Sequence, residues 1–137
     1  MKKIIPFLVI AAFINFSTAQ DADKKLTKME QVMASHDEVM DEMPKLSKLI
    51  NKLQTKANAS YDKKTYENAI RDLKSANKSM MTWMTGFGKR FEADEMLKGK
   101  ALSEQKQKWL LEEESKVTAL KEEIELSIAQ AQELIEP

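Results

Sequence analysis

One histidine occurs in the 137-residue chain, His36, and methionines stand around it at helical spacings. Met33 lies three residues before it and Met40 four after, so on a helix the three share a face. Met43 follows less than a turn later. A second cluster, MMTWM at residues 80 to 84, sets Met80 and Met84 four apart, with Trp83 between them and Met81 on the flank. Thioether sulfur is a soft, neutral ligand suited to Cu(I) and, by extension, Ag(I), and imidazole ligates copper in either oxidation state. The pattern therefore offers a ligand set of His36, Met40, Met80 and Met84, with Met33, Met43 and Met81 in reserve. Haem is a second cofactor class, since His/Met axial pairs occur in helical bundles. The chain has no cysteine, so such attachment would be non-covalent. The same residues also read as packing. Methionine fills irregular cores, and a lone histidine on an apolar face is usually hydrogen-bonded within the core, here by Glu113 or Asn77.

Other chemistry is poorly supplied. His36, Asp37 and Glu38 are consecutive, so on a helix they point in different directions and make a poor hard-metal or acid/base site. Glu113 beside His36 would make a switch near neutral pH. The lack of cysteine removes disulfides, thiolate metal sites and cysteine nucleophiles. No serine or carboxylate pair has a credible base beside it, so a non-enzymatic protein is expected. The acidic runs at 112–115 and 121–125 read as the solvated face of a helix, with Lys116 and Lys121 as local partners.

The elements that must position these residues follow from a seven-residue period. One row from Met29 runs Met29, His36, Met43, Ile50, Ala57, and a second runs Val32, Val39, Leu46, Leu53. These rows predict one long helix over about residues 23 to 57, packed against partners. Pro44 inside it lacks a backbone donor and predicts a kink near residues 40 to 44. NASYD, residues 58 to 62, supplies turn and cap residues. A second helix is expected from about Asp62 to Thr85, with rows Tyr66, Leu73, Met80, Phe87 and Ala69, Ala76, Trp83, and with Ile70, Asn77 and Met84 beside them. Gly86-Phe87-Gly88 is expected to end it. Residues 89 to 102 read as a connector anchored by Phe91, Met96 and Leu97. Ser103 caps a third helix over about 104 to 136, with a stripe of Trp109, Leu110, Val117, Leu120, Ile124, Ile128, Ala131 and Ile135. Glu113 falls on that stripe, although an unpaired carboxylate is costly to bury.

The expected fold is all-α, an antiparallel three-helix, up-down-up bundle with its first helix kinked near Pro44. An elongated coiled coil that dimerises is the alternative. Folding the bundle back at residues 60 and 96 puts His36 level with Met84, Met40 with Met80, Met84 with Trp109 and Met80 with Glu113. The two methionine clusters then form one interhelical patch with both tryptophans.

The first twenty residues differ from the rest. Lys2 and Lys3 precede an apolar run from Ile4 to Phe16, and Ser17 and Ala19 stand three and one residues before a cut at Gln20. That layout predicts a signal peptide at residues 1–19 and a helical bundle domain at residues 20–137, exported to the periplasm or secreted, with no stable membrane anchor after cleavage. The whole chain balances 22 basic against 22 acidic residues; without Lys2 and Lys3 the count is 20 to 22, a net charge of −2. That balance argues against nucleic acid. A protein partner or self-association through the long helices is the remaining partner class.

HDEVM and MMTWM together resemble a set of small exported helical proteins, mostly bacterial, that carry H-D-x-V-M on one helix and M-M-x-W-M on the next. These are often labelled as viral A-type inclusion protein-like. The resemblance covers about residues 36 to 87 and rests on His36, Asp37, Val39, Met40, Met80, Met81, Trp83 and Met84. It implies an exported helical bundle and no particular activity.

Overall fold

The computed structural model describes residues 25 to 136; the signal peptide expected at residues 1–19, and its cleavage point, lie outside them. Among the described residues all regular structure is helical: α1 (Lys28–Ala59), α2 (Lys63–Arg90), α3 (Ala93–Leu97) and α4 (Glu104–Ile135). Each long helix packs against the other two, and α3 lies against α1. None of these helices is long and apolar enough to cross a membrane.

Local chemistry sets the helix ends. Thr27 and Glu30 form a reciprocal capping box at the start of α1, with Thr27 Oγ1 accepting from the Glu30 amide at 3.2 Å and Glu30 Oε2 accepting from the Thr27 amide at 2.7 Å. Ser103 caps α4 as expected, accepting from the Lys106 amide. α1 continues as helix through Pro44. Proline has no N–H, so the Met40 carbonyl loses its usual partner there.

The core follows the predicted rows. Val32, Val39, Leu46 and Leu53 are all buried, whereas His36, Met43 and Ile50 of the companion row lie at its margin. On α2, Leu73, Ala76, Met80, Trp83 and Phe87 are buried, while Asn77 is exposed.

Two expectations are corrected. First, α2 does not stop at Gly86-Phe87-Gly88 but runs on to Arg90. The rings of Trp83 and Phe87 lie 4.9 Å apart and those of Phe87 and Phe91 4.7 Å apart. This aromatic column holds the last turn in helical register despite the propensity cost of two glycines, about 1 kcal/mol each. Second, the connector, which carries the short α3, lacks one of its expected anchors. Phe91 is buried and Met96 packs against the core, but Leu97 points to solvent. Gly99, at φ +67°, takes the left-handed conformation that ends this short element.

Candidate functional site

α1 and α2 bring the single histidine against the second methionine cluster. The rings of His36 and Trp83 lie 5.9 Å apart, tilted by 30°. The predicted level with Met84 is therefore met to within one residue. His36 is half-buried, and its Nδ1 lies 2.9 Å from Asp37 Oδ1. A carboxylate only accepts, so in this contact Nδ1 is the donor, and the ring's other nitrogen, Nε2, makes no hydrogen bond among the described residues. The partner is thus Asp37, and neither Glu113 nor Asn77 fills that role. Expecting Asp37 to point away took the Cα direction alone; an aspartate can swing back along the helix surface to its neighbour's ring.

The methionines differ in depth. Met80 is 1% exposed and Met40 39% exposed. Met33, Met43 and Met84 are half-buried and packed against the core, and Met81 is exposed. Met80 is thus a sealed thioether and Met40 an open one, and the His36 ring lies against Trp83. Among the described residues, no group of three or more His, Asp or Glu side chains is placed to hold a metal ion.

Trp109 and Glu113 lie elsewhere than expected. Arg90 Cζ sits 5.3 Å from the Trp109 ring centre, and Arg90 Nη1 lies 2.9 Å from Glu113 Oε1. Ser79 Oγ donates to Glu123. These ties shift α4 along α2 by roughly ten residues from the predicted register, about 15 Å at 1.5 Å per residue. The cause is the connector: α2 is longer than expected, and α3 moves the turning point beyond residue 96. The patch expected to unite His36, Met80 and Met84 with Trp109 and Glu113 therefore divides in two.

The second part is a charged junction. Glu113 is 2% exposed, and its Oε1 receives both Arg90 and Lys116 Nζ, each at 2.9 Å. Arg90 also reaches Glu112 at 2.6 Å. Nearby, Lys106 Nζ donates to both oxygens of the buried Glu95, at 2.9 and 2.7 Å, and the Glu92 amide donates to Glu95 at 2.8 Å. The amide hydrogen bond first, and Lys106 next, hold the Glu95 carboxyl below its ordinary value. Across α1 and α4, Lys28 bonds Glu114 at 2.6 Å, and Lys121 bonds Glu38, which raises the Lys121 ammonium above its ordinary value. Sequence reasoning missed Arg90 and Lys106. The available signal was Glu113 on an apolar stripe, which requires a cation from a neighbouring helix.

Trp83 is the residue the two regions share. It is 8% exposed, and its Nε1 is enclosed with no hydrogen-bond partner among the described residues. An enclosed donor without a partner costs about 1–3 kcal/mol.

No protein-family model, no curated protein and no solved structure matches this chain.

Proposed function

We propose that the protein is a non-enzymatic, exported helical bundle that binds one Cu(I), or Ag(I), ion at the α1–α2 seam through His36, Met40, Met80 and Met84. The observation that carries this reading is the His36–Asp37 pair. Metal-binding histidines characteristically donate their second ring nitrogen to a carboxylate, which fixes the tautomer and strengthens the ligating nitrogen. Here that leaves Nε2 free on a ring packed beside an indole, with thioethers at i+4 on its own helix and on the facing helix. Met40 gives the ion access from solvent, while Met80 reaches it by rotating about flexible side-chain bonds. The surrounding apolar groups and Trp83 shield it from water.

The bundle we propose is up-down-up, with α3 as part of its second connection. The ties support this, since Lys28–Glu114 and Glu38–Lys121 advance together along α1 and α4, whereas Ser79–Glu123 and Arg90–Glu113 run opposite ways along α2 and α4. We place a bend in α1 at Pro44, beside Met40 and Met43. Export, and kinship with the small exported proteins that share the two motifs, complete the reading. A second reading has its own observation: the burial of Met80 suits a structural or protein-interaction module whose methionines only pack.

A Cu(I) competition titration against a chromophoric chelator, run anaerobically on the chain from Gln20 onward, separates the two. The metal reading predicts removal of one equivalent, and weaker removal by Met40→Leu and Met84→Leu, substitutions that conserve volume and keep the fold. No removal by the wild-type chain would leave the packing reading.

A further inference from the structure

We propose that the α2–α4 face is the contact surface of a symmetric dimer, with α2 of one copy lying along α4 of a second copy and the reverse. The dimer does not rest on the metal reading, whose residues lie on the α1–α2 seam. The helices share out charge unevenly. α1 balances five basic against five acidic residues, α2 carries seven basic against two acidic, a net charge of +5, and α4 carries four basic against eight acidic, a net charge of −4.

Pairing within one copy leaves part of this charge unspent. Arg71, Lys78 and Lys89 on α2, and Glu122 and Glu133 on α4, are exposed and have no ion-pair partner among the described residues. The α2 cations follow at intervals of seven and eleven residues, close to two and three helical turns, so they form one ridge. Glu122, Leu126 and Glu133 follow at intervals of four and seven and form a second ridge, in which Leu126 is 61% exposed.

A groove of about 710 Å³ runs between the ridges, and its lining includes the small residues Ser75, Thr82 and Gly86 of α2 and Ala119 of α4. Inside one copy a Cβ at Gly86 would meet nothing within 4 Å, so the bundle itself does not require glycine there. Close approach of a second helix supplies the reason for a bare backbone at that point.

The Ser79–Glu123 and Arg90–Glu113 ties set Lys78 level with Ile124 and Arg71 level with Ala131. A twofold axis parallel to the helices lays the second copy's α2 along α4 at unchanged levels. Its Lys78 then stands beside Glu122 and its Arg71 beside Glu133, and the same contacts repeat in reverse, as an isologous interface requires. α2 has 28 residues, so the face is about 42 Å long and two helices wide, roughly 800 Å² per copy, the size of a standard specific interface. A face carrying both signs selects this partner. An anionic membrane or polyanion gains the α2 ridge but meets the carboxylates of α4, and a basic partner meets the reverse.

Sedimentation velocity on the chain from Gln20 onward, which retains every described residue, tests the dimer. The mass should rise from monomer toward dimer between about 1 and 100 μM protein. Two charge reversals are compared, Arg71→Glu with Lys78→Glu on α2, and Glu122→Lys with Glu133→Lys on α4. All four positions are exposed, so the circular dichroism spectrum should not change. Each reversed chain alone sets like charges against each other and should associate at least about tenfold more weakly. An equimolar mixture of the two restores opposite charges at both contacts and should recover the dimer. Gly86→Leu, which fills the groove from an exposed helical position, should weaken association of a chain with unaltered charge. A wild-type chain that stays monomeric, dimers indifferent to charge reversal, or a mixture that remains monomeric would each overturn the assignment.

Discussion

The α1–α2 seam and the junction of α2, α3 and α4 use polar groups in opposite ways. At the junction, two buried carboxylates are held by partners: Glu113 by Arg90 and Lys116, Glu95 by Lys106 and the Glu92 amide. At the seam the polar groups are few and incompletely used. Among the described residues, His36 has one ring nitrogen bonded and the other without a hydrogen bond, and the Trp83 N–H is enclosed without a partner. Buried charge fixes how α4 sits against its neighbours, because only one register satisfies it. Thioethers fix nothing so strictly, and they leave capacity for a ligand. On the proposed reading, the junction sets orientation and the seam is left for binding.

The junction should respond most to a broken partnership. Arg90→Met leaves Glu113 buried with Lys116 alone, and we expect a loss of about 2–3 kcal/mol, at the low end for a broken buried pair because one cation remains. Urea denaturation measures it. Glu113→Leu, which removes the charge and keeps an apolar filler, should cost much less; equal losses in the two variants would erase the distinction drawn for the junction.

Asp37→Asn tests the seam from its second layer. The amide cannot hold Nδ1 as a carboxylate does, so affinity for Cu(I) should fall about 10- to 100-fold. The exposed position predicts a stability change within about 0.5 kcal/mol. A destabilised fold with unchanged affinity would move His36 and Asp37 from the binding account into the packing account.

Gly86→Ala should raise stability by about 0.5–1 kcal/mol, since the added Cβ meets no neighbour and the helix gains propensity. A loss instead would mean that the fold requires glycine there.

The smallest effect concerns pH. The Glu95 carboxyl is held below its ordinary value of 4.5 by the Glu92 amide and Lys106. A depressed carboxyl favours the folded state while ionised, so its contribution is full above 4.5 and fades as pH falls below 4.5 toward the folded value. The stability difference between wild type and Glu95→Gln should therefore be flat above that point and shrink below it. A difference that grows on acidification would reverse the sign of the coupling.

The seam was more legible in the sequence than the junction. Val32, Val39, Leu46 and Leu53 repeat every seven residues, and periodicity reports such a row directly. The short turn at residue 60 then left little freedom in the α1–α2 register, so His36 came within one residue of its expected neighbour. The connection to α4 had no such constraint. Its length was concealed by Gly86 and Gly88, whose propensity signal yielded to the Trp83, Phe87 and Phe91 stack, and by the short α3. Arg90, beyond the expected end of its helix, was therefore invisible as the partner of Glu113, although Glu113 on an apolar stripe announced that a partner was needed.

His36 is the only histidine, so its imidazole nitrogens can be watched without ambiguity in a long-range ¹H–¹⁵N spectrum. Recorded before and after one equivalent of Ag(I), a diamagnetic stand-in for Cu(I), it tests the binding claim at its central atom. The account predicts that the Nε2 resonance moves while Nδ1 keeps its proton and its bond to Asp37. A ring spectrum unchanged by the metal would contradict it.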